Sequence, residues 1–181
     1  MIEVYHKLFV GSQEDYEDLL PNGKDIFVLH AAKEPYHRDY VGYTGKACNK
    51  DHPEYLMAIR WNNMAVNLVD AQESKYFNPD LIKEVVKKIL YLLINKKTVY
   101  IHCNQGESRA PSLALLVLLG LHAVSEDYSV AVKQFKMIYP NYNPGKGISD
   151  FLTENWNDYV NYFSTHKEED VQVAEVEDIK E

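Results

Sequence analysis

The sequence predicts an α/β fold: a central, mostly parallel sheet flanked by helices, with a phosphate-binding loop between a strand and a helix. Three observations predict it. Short apolar runs at 26–29, 64–69 and 98–101, rich in β-branched and aromatic residues, read as buried strands. Helical patterns alternate with them, clearest at 78–94. Finally, His102-Cys103-Asn104-Gln105-Gly106-Glu107-Ser108-Arg109 leads from the 98–101 run into a second apolar run at 113–121, rich in Leu and Ala.

Taken in order, residues 5–11 read as a strand with a turn or edge at His6-Lys7. Ser12 caps a short helix over 13–20, acidic in its first turn and ended by Pro21-Asn22-Gly23. Residues 33–55 show no periodicity; His37, Arg38 and Lys46 there are candidates to meet a substrate's charge, the alternative being a surface excursion with a short helix. The 64–69 strand delivers Asp70. In the 78–94 helix, Asn78 caps, Pro79 takes the first position, and Leu81, Ile82, Val85, Val86, Ile89, Leu90 and Leu93 share one face. A helix over 125–138, capped by Ser125, stops at Pro140. Ser149 caps a last helix to about Phe163, with Phe151, Leu152, Trp156, Tyr159, Val160 and Phe163 inward.

Length and composition bound the answer. The chain has 181 residues, enough for one domain with a sizeable core, placed at 1–165. Residues 166–181 form an acidic tail, expected to be mobile, which holds −5 of the net −8. An acidic balance argues against nucleic acid as the main partner. No apolar run reaches membrane-spanning length, and the first residues show no signal pattern. Two cysteines, Cys48 and Cys103, make no disulfide framework, so a reducing, cytoplasmic setting is expected. The seven histidines show no metal-ligand spacing. No metal or other cofactor is expected, and the oligomeric state is left open.

The eight-residue loop carries the chemistry. A strand-to-helix loop aims backbone N–H groups at one spot, and the helix dipole adds positive potential there. Pro111 suits the helix's first turn, where a missing N–H costs nothing. Such N–H groups stabilise a thiolate, the nucleophilic form of cysteine. Arg109 can hold two phosphate oxygens with its planar fork. Gly106 permits close backbone approach and an unusual φ. The plainer alternative is a buried structural cysteine beside a surface arginine.

His102-Cys103, five residues and then Arg109, with Gly106 central, resembles the signature of the cysteine-dependent protein tyrosine phosphatases. Ser108 resembles the dual-specificity branch. So do Leu8-Phe9-Val10-Gly11-Ser12 followed by a helix, Val28 to Pro35, and Tyr139 to Pro144. The resemblance spans about residues 5–163. It implies Cys103 as nucleophile, the Asn104 to Arg109 loop as phosphate cradle, and Asp70, 33 residues before the cysteine, as general acid and base. Glu73 and Asp80 are rivals for that role. It further implies that His102 orders the loop by hydrogen bonding, that Asn143 supports it, and that no metal is needed.

Two residues depart from the family. Ala110 stands where Ser or Thr usually follows the arginine and helps the cysteine leave, and Ser112 is expected to point elsewhere. Glu107 puts a negative charge in the loop, and the loop holds no lysine, so phosphoinositides, inositol phosphates and RNA 5′-triphosphates rank below phosphoproteins. The expected activity is hydrolysis of phosphotyrosine, with phosphoserine and phosphothreonine in proteins or peptides as further substrates, through a phosphocysteine. The alternatives are a catalytically weak phosphoprotein-binding module and a phosphatase for a non-protein ester. Sulfur transfer would not need Asp70, and arsenate reduction would need a resolving thiol, for which Cys48 is the only candidate.

Overall fold

The computed structural model describes residues 1–19 and 25–166. The expected Pro21-Asn22-Gly23 stop and the acidic tail from Lys167 onward lie outside the described residues. The elements run β1 (Ile2–Tyr5), β2 (Leu8–Gly11), α1 (Gln13–Leu19), β3 (Ile26–His30), α2 (Arg38–Val41), β4 (Met57–Arg60), β5 (Asn63–Val66), α3 (Pro79–Ile94), β6 (Thr98–His102), α4 (Arg109–Gly120), α5 (Tyr128–Ile138) and α6 (Lys146–Thr165). The strands form one sheet in the order β1-β2-β6-β3-β5-β4. The four inner strands are mutually parallel, and β1 and β4 are antiparallel edges. The α/β, mostly parallel architecture is therefore as the sequence predicts.

The period of two along each strand divides the interior in two. Leu8, Val10, Phe27, Leu29, Met64, Val66, Val99 and Ile101 join the large core shared with α3, α4, α5 and α6. The alternate residues Val28, His30, Ala65, Tyr100 and His102 are buried on the opposite face. Every residue of α4 from Arg109 to Leu119 is buried. The helix behind the phosphate-loop sequence is thus the central strut of the fold, in contact with β2, β6, α3, α5 and α6.

Several expectations change. The turn allowed at His6-Lys7 is present, with Lys7 at φ 63°, and it divides the expected 5–11 strand between β1 and β2. β4 was not foreseen; it pairs with β5 through a turn at Trp61, which is 98% exposed. The 64–69 strand ends at Val66, so Asp70 sits on a connection beyond it. Asp127, not Ser125, caps α5, because its carboxylate reaches the Val130 N–H. α6 starts at Lys146, one turn before Ser149. Its expected inward residues are buried, Val160 partly. Residues 33–55 hold a short irregular turn at Lys33–His37 and the one-turn α2. Among the described residues no helix is long and apolar enough to cross a membrane.

The Asn78 cap is observed as expected, its side-chain oxygen accepting from the N–H groups of both Asp80 and Leu81. Asp80 answers the α3 dipole from the first turn. Asn78→Ala should cost about 1 kcal/mol of stability, the usual worth of such a cap. Urea unfolding with an unchanged m-value would show it, and a cost near zero would contradict the account.

Candidate active site

The loop begins where β6 ends. His102 is its last strand residue, and Arg109 the first residue of α4. Cys103 is buried. Asn104, Gln105 and Glu107 are exposed, whereas Gly106, Ser108 and Arg109 are buried. No side chain caps α4, so its first N–H groups keep their donors for another acceptor.

The loop's carbonyls are tied from outside. The Gln13 N–H donates to the Asn104 carbonyl at 3.1 Å, and the Asn143 N–H to the Glu107 carbonyl at 2.9 Å. Tyr139 donates its hydroxyl to the Gly106 carbonyl at 2.9 Å. Burial pushes the Tyr139 phenol up to about 12, so it keeps the proton it donates. Asn143 does meet the loop, but through its backbone, and the residue is exposed. Gly106 has φ +74°, and a Cβ there would lie 2.8 Å from the Gly11 carbonyl carbon and oxygen. The loop thus rests directly on the end of β2.

Arg109 is fixed by two contacts. One terminal nitrogen donates to the Leu68 carbonyl at 3.1 Å, the other to Asn104 Oδ1 at 2.6 Å. Its Nε is buried and has no partner among the described residues. A buried guanidinium N–H without an acceptor is costly, and an oxyanion held by the loop would satisfy it.

Asp70 is exposed and stands at the loop's rim. Ser108 Oγ lies 3.4 Å from Asp70 Oδ1 and accepts the Gly145 N–H at 2.9 Å. Ser108 therefore links the Asp70 connection, the loop and the start of α6. Because the Leu68 carbonyl also accepts the Lys33 N–H, the same connection is held from its other side. Of Asp70's rivals, Glu73 pairs with Lys75 and Asp80 belongs to α3.

Other expectations resolve differently. His37 is buried and bonded to the Glu54 carbonyl, and burial lowers its pKa. Arg38 makes a two-pronged ion pair with Glu34 and donates to the Tyr43 and Gly45 carbonyls. Both hold residues 33–55 together rather than facing a ligand. Lys46 stays exposed. Ser112 shares a hydrogen bond with the Tyr142 hydroxyl inside the core, so it does point away from the loop. Among the described residues no group of three or more His, Cys, Asp or Glu could hold a metal ion.

Sequence reasoning missed His30, whose ring lies 2.6 Å from that of His102. The available signal was that both histidines end parallel strands, a place where sheets of this kind carry ligand-facing residues.

No protein-family model and no curated protein sequence matches the chain. Solved structures do match its fold. PTPMT1 aligns with TM-score 0.62 and 15% identity, over 91% of this chain and 99% of that one. Human DUSP28 aligns with TM-score 0.58 and 14% identity, over 91% and 99%. A human tyrosine phosphatase-like serine/threonine/tyrosine-interacting protein aligns with TM-score 0.55 and 15% identity, over 87% and 96%. The chain has the fold of the dual-specificity and protein tyrosine phosphatases.

Gly106→Ala and Gly42→Ala separate two costs. Both residues have positive φ, at +74° and +82°, but a Cβ at Gly42 meets nothing within 4 Å. Gly42→Ala should lose about 1–2 kcal/mol from backbone strain alone. Gly106→Ala should lose clearly more, because the loop must lift off Gly11. Equal losses in urea unfolding would show that the loop does not depend on that contact.

Proposed function

We propose that this chain is a cysteine-dependent phosphatase that hydrolyses phosphate monoesters of protein side chains, phosphotyrosine first and phosphoserine and phosphothreonine within the same reading. The observation that carries the proposal is the buried Arg109 Nε without a partner, held beside the Cys103 loop by the Leu68 carbonyl and Asn104. A loop that leads into an uncapped helix and is bordered by a carboxylate suits a phosphate ester, which needs anion donors on one side and a proton donor on the other.

In this reading the phosphate lies in the loop, its equatorial oxygens held by loop N–H groups and by the free edge of Arg109. The Cys103 thiolate attacks phosphorus in line with the ester oxygen. As the S–P bond forms the P–O bond breaks, and protonated Asp70 gives its proton to the departing oxygen. The Asp70 carboxylate then takes a proton from water as that water's oxygen bonds to phosphorus and the thiolate leaves. Asn104, Gln105, Gly106, Glu107 and Ser108 shape the cradle, with His102 and Asn143 supporting it. A thiolate nucleophile needs a reducing compartment, which supports the cytoplasm as the place of action.

The fold neighbours named as phosphatases support the reaction class. The neighbour named as an interacting protein keeps a second reading in view, a phosphoprotein-binding module, and Ala110 is the feature of this chain that favours it.

Hydrolysis of a small aryl phosphate without added metal tests the proposal. Cys103→Ser should abolish turnover, and Asp70→Asn should lower kcat about 10²-fold or more. A folded, reduced wild-type chain without turnover, yet binding a phosphotyrosine peptide, would move the conclusion to the binding module. Full activity in Cys103→Ser would refute both.

Ala110 leads to a kinetic expectation. With no hydroxyl after Arg109 to stabilise the departing thiolate, phosphocysteine hydrolysis should limit turnover. Rapid mixing should give a burst of aryl alcohol close to one equivalent per site. Ala110→Ser should shorten the slow phase about tenfold, the worth of one hydrogen bond to a charged group. A linear trace in the parent chain would contradict this.

A further inference from the structure

The face of the sheet opposite the large core holds a buried polar cluster. β3 and β6 pair in parallel, and their register sets His30 directly beside His102. Both residues are fully buried. His30 Nδ1 and His102 Nε2 lie 2.6 Å apart, and His30 Nε2 lies 3.1 Å from the Tyr40 hydroxyl. Tyr36 stacks on His30 with centroids 4.3 Å apart, and Tyr16 stacks on His102 at 4.7 Å. The three tyrosines are half-buried while both rings are fully buried, so the rings settle their hydrogen bonds with protein groups, among them the Asn63 side chain, which also favours a proton on His30.

Their direction can be worked out. Burial lowers His30 to about 4 and His102 to about 3, so both rings are neutral at physiological pH. Two neutral imidazoles that share a hydrogen bond consist of one donor and one acceptor. His102 Nδ1 is buried and has no hydrogen-bond partner among the described residues, and the adjoining Cys103 backbone favours a proton on the ring. That places the His102 proton on Nδ1, facing the Cys103 backbone, and leaves Nε2 as acceptor. His30 must then donate from Nδ1 and accept at Nε2. Tyr40, whose phenol burial raises to about 12, supplies the donor. The proton order reads Tyr40 O–H to His30, His30 N–H to His102, and His102 N–H toward Cys103.

We propose that His30 and Tyr40 are positioning residues: a buried relay that fixes the tautomer and ring plane of His102, and through it the backbone from which Cys103 enters the loop. The proposal rests on the reading of Cys103 as nucleophile. Neither residue touches the substrate. Reversing the His30–His102 bond would turn a lone pair of His102 toward the Cys103 carbonyl, and the two would repel. The relay forbids that tautomer without placing a charge under the loop. A carboxylate in the place of His30 can only accept, so it would draw the His102 proton to Nε2 and fix the opposite tautomer, and its negative charge would oppose a neighbouring thiolate.

Three variants separate the relay from mere packing. His30→Leu keeps the bulk and removes the donor. His30→Asn returns an N–H donor near the position of Nδ1. Tyr40→Phe removes only the distal hydroxyl. The first readout is the rate of Cys103 alkylation by iodoacetamide at neutral pH in a Cys48→Ser background, which needs no substrate. The second is kcat against KM for an aryl phosphate.

Alkylation should slow about tenfold in His30→Leu, return to within about threefold of the parent in His30→Asn, and fall about two- to threefold in Tyr40→Phe, in line with the loss of one oriented hydrogen bond or part of it. Turnover should follow in kcat with KM nearly unchanged. Equal losses in His30→Leu and His30→Asn would reduce His30 to packing and overturn the proposal. Parent-like alkylation in His30→Leu would also overturn it. If His30→Leu does not fold, Tyr40→Phe decides: an unchanged alkylation rate overturns the relay. Altered alkylation in a chain that never turns over phosphate would support the relay while refuting the phosphatase reading, so the two failures remain distinct.

Discussion

The structure depends on a problem of backbone accounting. A loop that turns its N–H groups inward toward an anion turns its carbonyls outward, and those carbonyls need donors. They find them far away in sequence: the Gln13 N–H for Asn104, the Tyr139 hydroxyl for Gly106, and the Asn143 N–H for Glu107. The Ala31 N–H holds the His102 carbonyl just before the loop. α1, the exit of β3 and the segment before α6 are each drawn to the loop by this need. Gly106 then has to be small where its backbone meets Gly11 and Ser12, and Gly11 is itself crowded by the Asp15 and Tyr100 side chains.

The same loop couples its two chemical partners. Arg109 reaches the Leu68 carbonyl, two residues before Asp70, and Ser108 reaches Asp70 itself. Arginine and carboxylate are thus positioned by one connection, residues 67–73, rather than by separate elements. Displacing that connection would move Arg109 and Asp70 together. On the opposite face of the sheet the His30–His102 pair sets the loop's entry, so the site is braced from below by buried neutral rings and from the side by backbone contacts.

What the sequence disclosed follows from how local each signal is. Cys103, Gly106 and Arg109 were legible because the loop's chemistry fits inside eight consecutive residues. Asp70 was singled out by family spacing and by an expected strand end; the structure puts it at the loop's rim, on a connection beyond β5. α3 was legible because its apolar face repeats over sixteen residues. Of the donors to the loop, Asn143 was expected to support it but acts through its backbone, and Gln13 was not legible, since a backbone N–H carries no side-chain signature. β4 was missed because its apolar stretch, Leu56 to Ile59, is short and poor in β-branched residues, and lies on an edge with Leu56 and Ile59 exposed. His37 and Arg38 misled because a charged or titratable residue in a long loop reads as a ligand contact. Here they hold the loop together, and only the positions of Glu34 and Glu54 reveal it.

Charge around the entrance bears on substrate size. A polyanion needs several free cations close to the loop. Arg109 is the only cation within the loop and it is buried. Of the cations on bordering segments, Lys33 donates to the Lys46 carbonyl, Arg38 is occupied by Glu34, and Lys146 is paired with Asp150. Lys46 is left, exposed, against the carboxylates of Glu107 and Asp70, which are exposed too. A single phosphate can be neutralised by Arg109 and the loop's amides without further help. A second or third phosphate outside the loop would meet carboxylates first. If the loop takes phosphate as proposed, the arrangement favours one phosphate group on an otherwise neutral or basic carrier, which is the chemistry of a phosphorylated side chain on a polypeptide rather than of a densely phosphorylated small molecule.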